Sequence, residues 1–123
     1  MSSSKSTKKV TFDTVVKAGL TLPGVEAGTS WGSPALKLHG KMIACIPTNK
    51  QAETDSFAIC IDFEQRDELL ASDPKVYYVK PHYEDYPCVL VRLKHVPPDA
   101  IKDLLNMAWQ YRHAKSARKR KRS

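Results

Sequence analysis

Three cysteines, four histidines and thirteen carboxylates are the groups with which this chain could do covalent or acid–base chemistry. A nucleophile needs a base within hydrogen-bond reach and a third group that orients the base. Cys88, His82, His95 and the acid pair Asp67 and Glu68 are the residues from which such a set would be drawn. Their spacing proposes none: Cys88 opens the apolar run CVLVRL, and His39 falls beside a glycine in a turn. Cys45, Cys60 and Cys88 are odd in number, far apart and set among apolar residues. They form no C-x-x-C and no Cys/His pair of zinc spacing, which predicts buried, reduced thiols without a metal. The five glycines are scattered and build no phosphate-cradling loop, so no cofactor is implied. The expectation is a protein that is not an enzyme, with no catalytic, cofactor or metal residues.

Charge points to a different chemistry. The chain ends RHAKSARKRKRS, with seven Lys or Arg in twelve residues and no carboxylate. Lys5, Lys8 and Lys9 add three positive charges before residue 10. Residues 10–111 carry the other ten of the twenty Lys and Arg against all thirteen acids, so this stretch is −3 while the whole chain is +7. The basicity belongs to the ends, and a run of this kind is suited to phosphate. Arg112, Lys115, Arg118, Lys119, Arg120, Lys121 and Arg122 are the first candidates for nucleic-acid contact. Lys37 and Lys41, on either side of a tight turn, are the second group. Lys75, Lys80, Arg92 and Lys94 would extend the basic surface if the carboxylates of Glu53, Asp55, Asp67 and Glu68 lie elsewhere.

At 123 residues the chain is long enough for one modest core. No stretch has the length and apolarity of a membrane span, and MSSSKSTKKV lacks the apolar segment of a secretory signal, so a cytoplasmic protein without a membrane partner is expected. Thr11 caps a short helix in which Phe12, Val15, Val16 and Gly19 share a face, and LPG ends it. The stretch GTSWGSPALKLHGKMIACIP predicts a hairpin turning at His39-Gly40, where glycine supplies the positive φ of a type I′ turn. Trp31 covers a core edge or offers a stacking platform. FAICIDF alternates, with Phe57, Ile59, Ile61 and Phe63 on one face and Ala58 and Cys60 on the other. Asp62 caps a second helix that Pro74 ends, and KVYYVK and CVLVRL are two further strands. Tyr77 and Tyr78 point to opposite faces, which predicts partial exposure of at least one. Pro98 and Asp99 begin a last helix whose stripe is Ile101, Leu104, Leu105 and Ala108, with Trp109 at its edge. Beyond Tyr111 the run is expected to be a flexible arm, adding affinity without reading bases.

The predicted fold class is α+β, a mainly antiparallel sheet in the order helix, three strands, helix, two strands, helix. Residues 1–9 form a mobile basic tail, 10–111 the domain and 112–123 a basic C-terminal arm. LPGVEAGTSWGSPALKLHGKMIA, DELLASDP, HYEDYPCVLVRL and the helix after VPPDAIKDLL, in this order, resemble the MmcQ/YjbR-like family over about residues 11–111. The resemblance implies the same element order, similar to type III secretion chaperones and to a double-wing DNA-binding architecture. It implies DNA as partner by fold analogy, with a protein or peptide partner as the alternative.

Overall fold

In the computed structural model, the backbone is described for residues 10–122 except Trp31, residues 48–51 and Thr54. The side chains of Ser30, His82 and residues 115–122 lie outside that description, as do Lys5, Lys8 and Lys9. The elements run α1 (Phe12–Gly19), β1 (Val25–Ser30), β2 (Ser33–Leu38), β3 (Lys41–Cys45), β4 (Ser56–Cys60), α2 (Phe63–Ser72), β5 (Tyr77–Tyr78), β6 (Cys88–Arg92) and α3 (Pro98–Arg122). The strands form one sheet in the order β1-β2-β3-β4-β6-β5, and every neighbouring pair is antiparallel. The α+β fold is therefore as expected, with one strand more than the sequence suggested. That strand, VEAGTS, buries only Val25 among its described side chains, so its pattern carries almost no alternation of apolar and polar residues.

One face of the sheet holds the main core. Leu36, Leu38, Phe57, Ile59, Val89 and Val91 meet Phe12 and Val15 of α1 and Ile101, Leu104, Leu105 and Ala108 of α3. The register between β2 and β3 slips at Leu36/Lys37, where Leu36 pairs with Ala44 but Lys37 pairs with Met42. Ile43 is the extra residue of a bulge, and such a residue escapes strict alternation. Ile43 and Ala44 accordingly both enter the main core, although they are consecutive. Gly19 lets α1 lie close to β2, since a Cβ there would sit 2.5 Å from Leu36 Cδ1.

The other face carries a smaller cluster of Ala35, Cys45, Ala58, Tyr78 and Leu90, with Tyr83 and Met42 packed on it. Both faces are therefore covered where β5 lies, and Tyr77 and Tyr78 are each only 7% exposed. Neither is the partly exposed tyrosine that alternation alone suggested. The Tyr78 hydroxyl donates to Ser56 Oγ at 2.8 Å and accepts from the Glu53 N–H at 2.7 Å, which makes its burial tolerable.

The caps follow the sequence. Thr11 is the N-cap of α1, and the Asp62 carboxylate accepts from the Gln65 N–H at 2.7 Å at the start of α2. The end of α3 does not follow it. The helix continues through the basic run to Arg122 instead of giving way to a flexible arm. After Pro98 it meets no proline or glycine, its last turns are rich in Ala, Lys and Arg, and cations near a helix C-terminus complement the backbone dipole.

Candidate nucleic-acid interface

The β2–β3 hairpin closes on a two-residue turn. Leu38 pairs with Lys41, and His39 and Gly40 have φ of 53° and 82°. These are the signs a type I′ connection requires, and no atom lies within 4 Å of where a Gly40 side chain would begin. The cost of a β-branched residue there is conformational alone. Gly40→Val is expected to destabilise the domain by about 1–2 kcal/mol in denaturant unfolding, whereas a change below about 0.5 kcal/mol would contradict it.

Lys37 lies opposite Glu26 on β1 and Met42 on β3, its stem 4.0 Å from the position a Cβ would take on Gly28. Lys41 is exposed at the start of β3. From α3, the Arg112 Nε donates to the Met42 carbonyl oxygen at 2.9 Å. The first residue of the basic run is thereby tied to the hairpin that carries Lys37 and Lys41. Arg112 is half-buried, and its guanidinium also reaches the Cys60 sulfur. Its place is that of an anchor between helix and sheet. The other six basic residues lie farther along α3, and their side chains are outside the described residues. Their positions can still be placed: at 100° per residue, 112, 115, 118, 119 and 122 fall within an arc of about 120°, while 120 and 121 fall outside it. A helix reading of the run finds this arc; a flexible-arm reading does not.

Arg92, Lys94 and Lys80 are engaged instead at the β4-β6-β5 end of the sheet. Arg92 holds Glu53 through two bonds of 2.8 Å, from Nε and Nη2, while its Nη1 donates to the carbonyls of Pro74 and Lys75 at 3.1 Å each. Its guanidinium also lies 4.3 Å from the Tyr78 ring centroid. Lys94 is 3.9 Å from Asp55, and Lys80 lies over the Tyr78 ring. Glu53, Asp55, Arg92, Lys94 and His95 together line one open depression of mixed charge. The condition for these cations to extend the basic surface, that Glu53 and Asp55 lie elsewhere, is not met: register brings Glu53 onto Arg92 and Asp55 beside Lys94. The Arg92 hydrogen bond holds the Glu53 carboxyl below its usual range.

The groups weighed for catalysis are separated. Cys88 begins β6 while His95 lies beyond the other end of that strand. Burial, and then the nearby Cys60, push the Cys88 thiol up to about 12, and burial pushes Cys45 to about 11. All three cysteines are free and buried, and Cys60 shares the face of Ala58, away from Phe57, Ile59 and Ile61. Among the described residues, no group of three or more His, Cys, Asp or Glu is placed to hold a metal ion. No described helix is long and apolar enough to cross a membrane. Trp31 lies outside the described residues, so neither of its two readings is decided. Trp109 has a structural place, its Nε1 donating to the Pro23 carbonyl at 2.7 Å and so holding α3 to the turn after α1.

A six-stranded antiparallel sheet with three helices and a basic helical extension defines this as an α+β domain of a recurrent architecture. The structure of Deinococcus radiodurans protein DR2400, described as a DUF419 domain, shares it with a TM-score of 0.65 and 19% identity, over 82% of this chain and 77% of that one. A family model described as YjbR matches residues 20–111, and the chain belongs to that family. Among curated proteins, it is similar to uncharacterized protein Rv2570 of Mycobacterium tuberculosis and uncharacterized protein Mb2600 of Mycobacterium bovis. Each is 42% identical over 41 residues, covering 33% of this chain and 32% of the relative. The match thus spans about a third of the length of these relatives.

Proposed function

We propose that this is a small, non-enzymatic, cytoplasmic DNA-binding domain that holds duplex phosphates through the basic end of α3 and the β2–β3 hairpin. The observation that carries this reading is the bond from Arg112 Nε to the Met42 carbonyl, which fastens the basic helix beside Lys37 and Lys41. Lys115, Arg118, Lys119, Arg120, Lys121 and Arg122 supply most of the charge, and the hairpin lysines add to it. Each phosphate neutralised releases condensed counterions. Five engaged cations give a slope of about −4 to −5 in log affinity against log salt concentration. A salt titration of duplex binding by the full-length protein checks this; a slope near zero, or no binding at low salt, would remove the reading.

A protein-binding role is the second reading, favoured by Phe63 and Tyr86, which are 44% and 54% exposed. Arg66 holds this surface together, donating to the carbonyls of Glu84 and Tyr86 at 3.1 Å while lying 4.7 Å from the centroid of the Phe63 ring. The surrounding Glu64, Asp67, Glu84 and Asp85 repel phosphate, so this side of the molecule suits a cationic polypeptide rather than DNA.

A further inference from the structure

Cys60 and Cys88 stand directly opposite each other in the β4–β6 ladder. Opposed residues in antiparallel strands alternate between pairs that exchange both backbone hydrogen bonds and pairs that exchange none, and the latter bring their Cα atoms to about 4.5 Å. Two contacts identify this as a pair of the second kind. The Ile61 N–H donates to the Pro87 carbonyl at 3.1 Å, the bond that brackets a non-bonded pair, and the Cys88 N–H is used by the Tyr86 carbonyl at 2.8 Å. A separation of about 4.5 Å lies inside the range of roughly 4.4–6.8 Å that a disulfide spans. Strand alternation sends both side chains to the same face, beside Ala58 and Leu90. Cys45 shares that face but pairs with Ala58, so it is diagonal to Cys60. Diagonal neighbours are about 7–8 Å apart, beyond the reach of an unstrained bridge.

We propose that Cys60 and Cys88 form an oxidation site, which hydrogen peroxide converts into a cross-strand disulfide. The Cys60 sulfur, as thiolate, attacks one peroxide oxygen; the O–O bond breaks, leaving a sulfenic acid on Cys60 and, with a proton, one water. The Cys88 sulfur then attacks the sulfenic sulfur, the S–S bond forms and the second water leaves with the Cys88 proton. Two thiols and one peroxide become one disulfide and two waters, the peroxide being reduced. Burial raises both thiols; Arg112 opposes it at Cys60 through its charge and a hydrogen bond, Arg66 at Cys88 through its charge alone. This second contact assigns the first attack to Cys60. At 4% and 6% exposure the pair is shielded from an oxidant as large as glutathione disulfide, which is why the oxidant proposed is hydrogen peroxide. The bond would join the end of β4, two residues before the Asp62 cap of α2, to the loop that Arg66 already grips through the carbonyls of Glu84 and Tyr86.

The test treats reduced full-length protein with hydrogen peroxide, alkylates the remaining thiols, and measures intact and peptide masses. The expected result is loss of two hydrogens with Cys60 and Cys88 in one linked peptide pair, reversed by dithiothreitol and unchanged in Cys45→Ser. The rate should rise about tenfold per pH unit between neutral and mildly alkaline pH, as the thiolate fraction does. Cys88→Ser should accumulate a dimedone-reactive sulfenic acid on Cys60, and glutathione disulfide should leave the native protein unlinked. A link through Cys45 or between chains would overturn the proposal. So would three free thiols after an exposure that links the same protein in denaturant. These readouts involve no DNA and are separate from the duplex-binding titration.

Discussion

Removal of residues 114–123 is expected to lower duplex affinity at least tenfold at low salt and to flatten the salt slope by several units. The deletion takes away Lys115, Arg118, Lys119, Arg120, Lys121 and Arg122, and formal charge falls from +7 to +1. It spares Arg112, whose bond to the Met42 carbonyl closes the helix onto the sheet. The buried stripe of α3 ends at Ala108, so stability should stay within about 0.5 kcal/mol of the full chain. An unchanged slope in a folded truncated protein would move binding to the domain body. Loss of stability without loss of slope would make the extension a structural part. Lys37→Ala with Lys41→Ala, in the full chain, should lower the slope by no more than about two, one for each lysine.

Arg92→Ala is expected to destabilise the domain by about 3 kcal/mol in urea unfolding, the largest single-residue effect foreseen here. Arg92 ends β6, and its guanidinium makes four hydrogen bonds, two to Glu53 and one each to the carbonyls of Pro74 and Lys75. It also covers the Tyr78 ring. The side chain thus joins the loop before β4 and the turn before β5 to the central strand between them. Arg92→Lys should recover less than half of the loss, because an ammonium cannot serve three acceptors in the plane of a fork. Acid adds a signature. The hydrogen bond from Arg92 holds the Glu53 carboxyl below its unfolded value. Its contribution is therefore complete above that unfolded value and is lost as pH falls through the lowered, folded one. The stability difference between wild type and variant should narrow across that acid window. A constant difference would show that Glu53 does not act through Arg92.

Local signals carried most of the fold. The apolar face of α1, the caps at Thr11 and Asp62, the alternation from Phe57 to Ile61 and the stripe of α3 are each set by residues a few positions apart, and each lies where the sequence places it. Phe63, expected on the face of Phe57, Ile59 and Ile61, instead opens α2 behind the Asp62 cap and is 44% exposed. Strand β1 was missed because its pairing with β2, from Val25↔Leu38 to Ser30↔Ser33, owes little to apolar side chains. Tyr77 and Tyr78 were misjudged because alternation says which face a residue takes, not whether that face is covered. The fate of Arg92 and Lys94 depended on sheet order: only pairing of β4 with β6 brings Glu53 and Asp55 to them. The basic run was legible as chemistry but not as geometry, since its register on a helix matters only once the helix is known to continue.

The extent of α3 has an electrostatic consequence. Residues 112–122 extend about 16 Å along the axis at 1.5 Å per residue, roughly two screening lengths at physiological ionic strength. The cations near Arg122 are therefore largely screened from the −3 of residues 10–111, whereas a coiled segment would let them fold back toward it. At that ionic strength an approaching polyanion meets the helix tip as an almost independent charge. Below about 0.01 M salt, where the screening length grows to some 30 Å, it meets the field of the whole molecule.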